Sequence, residues 1–318
     1  MLEILLDNKD GVVWDISELV SSATWKTVRI GRPGSLDLTL VYHPDLRIEP
    51  GAVIRVKDGQ RGVFYGYVFT IERKRNNEIR VTAYDQLRYL LSKDSLIFKN
   101  VTAADILLRI ANDLKLKTGI VADTRYRIAE LNEEDQTLID VIGKALDLTL
   151  INTGRLFVLY DNFGTLALRE PQNIPVDIVI GDESLAYDYT YKRSIDEDTY
   201  NVIKLVRDNE KTGKREVYMA RDSANIARWG RLQYLQKVDE NMNEAQIRQL
   251  LDQLATLKNR ETRTFRVDAI GDSSIRAGVY VFITIEELGT NQYYLVDECT
   301  HKWNGGTEHT MNLTLKVV

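Results

Sequence analysis

The chain has 318 residues, more than one hydrophobic core usually serves, so two or more domains are expected. Its net charge of -5 is spread without a basic arm or stripe, which argues against a tightly bound nucleic acid; 44% hydrophobic and 28% charged residues is ordinary for a globular protein. A single cysteine, Cys299, excludes an internal disulfide framework, and no apolar run approaches the roughly 20 residues of a membrane helix.

The first third reads as β. Met1–Asp7 has no basic leader and reads as a strand rather than a signal peptide. Asn8-Lys9-Asp10-Gly11 makes a turn between Ile4–Leu6 and Val12–Trp14, because Asp-Gly supplies the positive φ of a tight hairpin. Leu36–Leu40 alternates with period two, Val53–Val56 does so less cleanly, and Val63–Ile71 and Ile79–Tyr84 complete the set. Turns at Arg32-Pro33-Gly34, Glu49-Pro50-Gly51, Lys57-Asp58-Gly59 and Asn76-Asn77 separate them, a spacing that predicts a small antiparallel barrel or sandwich over 1–94.

The pattern then changes. Thr102, with Asp105 three residues on, caps a helix carrying Ile106, Leu107, Ile110, Ala111 and Leu114. A second helix is predicted from about Glu134 to Leu146, with Glu133, Glu134 and Asp135 at its positive end. Leu156–Tyr160 and Leu166–Leu168 flank a turn at Asp161–Gly164, so 95–172 reads as an α+β module of two helices and a hairpin. Residues 173–221 return to β, with Tyr200–Val206 and Arg215–Met219 around a turn at Lys211-Thr212-Gly213. The stretch 222–260 reads as mainly helical, with an Asn243/Gln246 capping box and a stripe of Ile247, Leu250, Leu251, Leu254 and Leu257; 261–318 is β again.

The first and last β segments resemble each other. Leu36-Asp37-Leu38, Ile48–Val56, Phe64–Val68 and Ile79–Thr82 are answered in order by Phe265-Arg266-Val267, Ile275–Ile283, Tyr293–Val296 and Met311–Leu315. The fold expected is therefore α+β and multidomain: two similar antiparallel β-barrels, 1–94 and 173–221 plus 261–318, with the α+β module and a helical insertion at 222–260. Three such chains in a ring would present six similar units, a way for a threefold object to meet a sixfold one.

Chemistry is mostly missing. His43, His301 and His309 show no metal spacing and read as surface or interface residues. Cys299 has no basic neighbour to lower its pKa and reads as a small core residue. Lys211-Thr212-Gly213-Lys214 superficially resembles a phosphate loop but lacks its leading glycine and its strand–loop–helix setting. A wall hydrolase needs two carboxylates, and Glu133-Glu134-Asp135, Asp182-Glu183, Asp196-Glu197-Asp198 and Glu286-Glu287 all read as solvated charge in turns or at a helix start. No residue is assigned a catalytic, cofactor-binding or metal role, and no cofactor is expected.

Against that background the whole chain resembles the baseplate hub proteins of contractile phage tails and phage-tail-like particles, of the PBSX type. The resemblance rests on Val63–Thr70, Val81–Leu90, Ala145–Leu150 with Leu156–Asp161, Ser194–Asp196, Thr199–Asn201, Lys204–Val206, Asp208–Tyr218 and Lys237–Asn243, which run in family order. It implies a structural, non-enzymatic homotrimer whose paired barrels form a pseudo-sixfold ring under the last ring of tail tube protein. It also implies a spike protein as a separate chain, since this one stops at Val318, together with a LysM-containing baseplate protein, wedge proteins and the tape-measure protein as neighbours. No membrane span and no specific nucleic acid are implied; the mild negative charge suits a lumen that DNA crosses without sticking. The implied location is the tail baseplate, assembled in the host cytoplasm. A hub of a non-contractile tail or other injection device is the nearest alternative. A tail-associated peptidoglycan hydrolase and a carbohydrate- or peptide-binding module are the alternatives from other classes.

Overall fold

A computed structural model describes residues 2–75, 77–209, 214–238, 240, 242–305 and 308–316. The turn expected at Lys211-Thr212-Gly213, and Asn76 of the turn at Asn76-Asn77, lie outside the described residues. The chain forms two compact units, Met1–Thr190 with Phe265–Val318, and Tyr191–Thr264.

The larger unit begins with β1 (Leu2–Asp7), β2 (Val13–Asp15), β3 (Val20–Val28), β4 (Ser35–Val41), β5 (Val53–Asp58), β6 (Arg61–Arg73) and β7 (Glu78–Tyr84). The expected hairpin across Asn8–Gly11 is present as β1·β2. β4 shows why these segments are strands: Leu36, Leu38 and Leu40 are buried while Asp37 and Thr39 point the other way. A 3-10 turn at Gln86–Leu91 then leads into β8 (Lys93–Thr102), α1 (Ala103–Asp113), β9 (Thr118–Val121), β10 (Arg127–Thr137), α2 (Leu138–Thr153), β11 (Val158–Asp161) and β12 (Leu166–Arg169). Thr102 and Asp105 form the expected capping box of α1.

The second helix differs from expectation. The segment 127–137 is strand β10, paired with β8, and α2 starts only after Thr137, whose hydroxyl accepts from the Asp140 N–H. Glu133, Glu134 and Asp135 therefore lie in a strand, not at a helix start. Ile128, Leu131 and Glu133 are buried in this strand, and the Lys144 ammonium pairs with the Glu133 carboxylate. α2 ends on Gly154, whose φ of 71° fits a residue without a Cβ.

The chain continues through β13 (Val179–Gly181) and β14 (Ala186–Ser194). The smaller unit holds β15 (Val202–Asn209), β16 (Lys214–Arg221), α3 (Ser223–Trp229), β17 (Gln233–Lys237) and α4 (Glu244–Lys258). Residues 222–260 are thus two helices with a strand between them, and that strand pairs in parallel with β15. α4 carries the predicted Asn243/Gln246 box, and its Ile247 and Leu251 pack with Ile203, Leu205 and Val238 in a small core of their own. The larger unit closes with β18 (Thr262–Ile270), β19 (Tyr280–Ile285), β20 (Thr290–Asn304) and β21 (Glu308–Lys316).

The fold is α+β, mostly antiparallel sheet with few helices. The pairings do not separate into two closed barrels; one 13-stranded sheet runs β14-β18-β21-β20-β3-β4-β7-β6-β5-β1-β2, with β13·β19 attached to β20. Within it one strand order occurs twice. β3-β4-β7-β6-β5 is matched by β14-β18-β21-β20-β19. The match extends to single residues. Gly51 and Gly278 both have positive φ, 86° and 89°, and their N–H groups donate to Val68 O and Val296 O, each at 2.8 Å. One position further on, β6 bulges at Phe69 and β20 at Asp297. Each half has a separate core, one around Leu36, Leu38 and Phe64 and the other around Phe265, Val267 and Val281, and the α+β module has a third.

Candidate functional site

Two places in the larger unit concentrate polar and aromatic side chains. The first is the seam where the two halves share a strand pair. β3 lies antiparallel on β20, with Val28 opposite Glu298 and Ser22 opposite Asn304. Trp25 of β3 stacks on His301 of β20 at 5.1 Å between ring centres, His301 lies against Trp303 at 5.4 Å, and Trp303 stacks on His309 at 4.3 Å. The His301 Nε2 is 2.9 Å from the Ile275 carbonyl, which can only accept, so that nitrogen holds a proton and Nδ1 accepts from His309 Nε2 at 2.9 Å. Burial pushes the His301 imidazole down to about 4 and also lowers His309, so this stack is neutral at ordinary pH.

His301 is fully buried, which corrects its reading as a surface or interface histidine. Strand alternation places Cys299, His301 and Trp303 on one face; Trp25 of the neighbouring strand β3 lies beside His301 there, and the Ile275 carbonyl meets both Cys299 and His301. Cys299 is the expected core residue. Its thiol is fully buried, 3.1 Å from His301 Nε2, and burial pushes its pKa well up, away from a nucleophile's range. His43 is exposed beside Asp45. At one end of the seam the Arg29 guanidinium binds the Asp297 carboxylate at 2.7 Å. At the other end, Trp303 joins the core of the first half and, with His309, lines a groove of about 530 Å³ between β1 and β3.

The second place is a buried charged junction that no sequence motif singles out. It gathers Asp85 and Gln86 after β7, Tyr160 and Asp161 on β11, and Arg276 from the loop before β19. The Asp85 carboxylate accepts from the Gly34 and Leu87 backbone N–H groups at 2.9 and 3.0 Å. Asp161 accepts from the Gln86 amide at 2.9 Å and from the Gly164 N–H at 2.7 Å. Arg276 donates to the Asp161 carbonyl at 2.7 Å and lies over the Tyr160 ring at 4.3 Å, while its Nε is buried without a partner. Burial, and then the Asp161 charge, holds Asp85 well above the usual carboxylate range; burial raises Asp161 to about 6. Burial also lowers Arg276, though a guanidinium starts so high that it keeps its charge. Two acids and one arginine out of water balance best as one carboxylate, one carboxylic acid and one guanidinium, and the acid pair titrates as a unit.

The other acidic groups serve locally. The Asp182 carboxylate accepts from the Glu286 N–H, Glu287 accepts from the Tyr189 hydroxyl, and Asp198 pairs with Lys258. Among the described residues no cluster of His, Cys, Asp and Glu could hold a metal ion, and no helix is long and apolar enough to cross a membrane.

Comparison with known proteins places this architecture. The model of the YQBQ-like family matches residues 23–316. The chain belongs to the YQBQ-like family. Its relatives include the phage-like element PBSX protein XkdQ of Bacillus subtilis (strain 168), 31% identical over 305 residues, which cover 93% of this chain and 92% of that protein. This YQBQ-like chain also shares its fold with the tail protein from Neisseria meningitidis MC58 (TM-score 0.73, 15% identity, 99% of this chain and 96% of the other). A more distant likeness is to the E. coli c3393 protein (TM-score 0.56, 11% identity, 100% of this chain and 77% of the other). That protein is a component of the type VI secretion system, with structural similarity to T4 bacteriophage tail proteins gp27 and gp5.

Proposed function

We propose that this YQBQ-like protein is the baseplate hub subunit of a contractile phage tail or phage-tail-like particle. The observation that carries the reading is the doubled strand order, β3-β4-β7-β6-β5 and β14-β18-β21-β20-β19, inside one sheet. A chain that offers two like units turns a homotrimer into six like positions, which is what a threefold spike needs in order to meet a sixfold tube. The relationship to a PBSX element protein and the fold shared with phage tail proteins support the same reading.

In this reading 1–94 and 173–221 plus 261–318 act as the two barrel-like ring segments, 95–172 faces the spike, and 222–260 is an insertion. The tail tube protein, a separate spike protein, a LysM-containing baseplate protein, wedge proteins and the tape-measure protein are its neighbours. The subunit works mechanically, at the tail baseplate, after assembly in the host cytoplasm. It closes the tube, carries the spike and moves with the tube when the sheath contracts.

Deleting the gene in the producing strain, inducing particles and imaging them by electron microscopy tests this. Absent tails, or stray sheath and loose baseplate pieces, are the expected result. Complete contractile tails in the deletion strain would overturn the hub assignment.

A further inference from the structure

The smaller unit is built on a three-stranded sheet, β16-β15-β17, whose two faces differ. Ile203, Leu205 and Tyr218 point to one face and form a core with Ile247 and Leu251 of α4. Alternation sends Lys204 and Val206 of β15, Val217 and Met219 of β16, and Leu235 of β17 to the other face. Val217, Met219 and Leu235 are 50%, 45% and 59% exposed there. In register, Met219 and Leu235 lie on either side of Lys204, and Val217 lies beside Val206.

The charge on this second face is one-sided. Lys204, Arg215, Arg221 and Lys237 stand on it, and Asp208 is the single acid there among the described residues of the three strands. The Asp208 carboxylate binds Arg215 at 2.7 Å and Lys237 at 2.8 Å. Lys204 and Arg221 have no ion pair among the described residues. A chain with a net charge of -5 thus gathers an excess of cations around an apolar strip. The strip crosses two strand spacings, about 10 Å, which is close to the width of one α-helix. α4 shows that this sheet accepts a helix on its opposite face, through Ile247 and Leu251.

We infer that this face docks an acidic amphipathic helix of another protein, with the helix's apolar stripe on Val217, Met219 and Leu235 and its carboxylates against Lys204 and Arg221. The sheet then lies between two helices, its own α4 and the partner's. An exposed apolar patch rimmed by charge marks such a contact, and the unbranched Met219 adapts its shape to what lands on it. The free cations steer an acidic partner and fix its orientation more than they add affinity. An anionic lipid surface fits less well, because the described residues of this face include no Trp, Tyr or Phe to anchor at a headgroup boundary. The same lack leaves single-stranded nucleic acid without a stacking platform. The inference names a partner surface for the proposed function and rests on that reading for its setting, a tail under assembly.

Leu235→p-benzoylphenylalanine tests it, made in the full chain and expressed in the producing strain. Cells are irradiated after particle induction, and the peptide linked to position 235 is identified by mass spectrometry. The expected peptide belongs to another protein, carries several acidic residues and has its apolar residues at helical spacing. Adding Lys204→Glu with Arg221→Glu should lower the yield of that link by about tenfold or more, whereas Lys204→Arg with Arg221→Lys should keep it. Equal melting temperatures and circular dichroism of the purified variants establish folding. Links to a second copy of this chain, to lipid, to nucleic acid or to a segment without acidic residues would overturn the inference, as would no link or a yield indifferent to charge reversal. Tails lost on gene deletion with no such link would sink the docking alone. Complete tails in the deletion strain with the link present would sink the hub role alone.

Discussion

The two halves of the large sheet use one strand plan to bury different things. In the second half, His301 and Trp303 are buried on the strand paired with β3, and Trp303 reaches into the core of the first half. In the first half the same stretch of β6 faces outward, and the strand's interior is tightened instead by Gly66, which stands where the second half has Tyr294. A Cβ on Gly66 would overlap the Tyr84 carbonyl oxygen and the Phe64 ring, so Phe64 occupies the space that Tyr294 fills in the other half. Equivalent backbones thus leave side chains free to differ, provided that volume and hydrogen bonds balance locally.

The largest test of that comparison is Gly66→Ala. The added methyl meets backbone rather than a flexible side-chain end, so a loss of about 3 kcal/mol or more is expected in urea unfolding, whereas Tyr294→Phe should cost only about 1 kcal/mol. Next comes Trp303→Ala, which removes a buried indole from the first core and should cost about 3–5 kcal/mol; Arg75→Ala, at the matching exposed position just past the end of β6, should change stability by less than about 0.5 kcal/mol. Similar costs for these two changes would end the equivalence.

The charged junction gives a pH test. A carboxyl whose folded pKa is raised binds more protons when folded. Its stabilising contribution is therefore fully present below the ordinary value of 3.8 and is lost as pH rises through about 6. The parent chain's melting temperature should fall from about pH 4 to pH 7 by this contribution, and Asp161→Asn should flatten that slope while raising stability at neutral pH. An unchanged slope in the variant would place the titration elsewhere. The smallest effect is expected in the separate unit, where Asn243→Ala removes the cap of α4 and should cost about 1 kcal/mol in a melt.

Much of this was legible in the sequence. Period-two alternation in Leu36–Leu40 and the capping boxes at Thr102 and Asn243 act through near neighbours, and each was found in place. The second helix was found, but its start was set at Glu134 instead of Leu138, because acids at a helix start and acids in a strand look alike when the partner strand, β8, is distant in sequence. Asp85, Asp161 and Arg276 gave no signal because they are scattered along the chain and ordinary in their local settings. His301 was misplaced because an alternating strand does not say which of its faces will be buried.

The sequence alone determined the α+β class, most of the strands and the repeat, since these follow from residue periodicity and turn chemistry within a few positions. Tertiary structure decided that the repeats join through β3 and β20, that His301 is neutral and buried, and that two acids share a dry site with Arg276. Those outcomes depend on contacts between residues far apart in the chain, more than two hundred positions in the case of β3 and β20, and desolvation acts only once such contacts have closed.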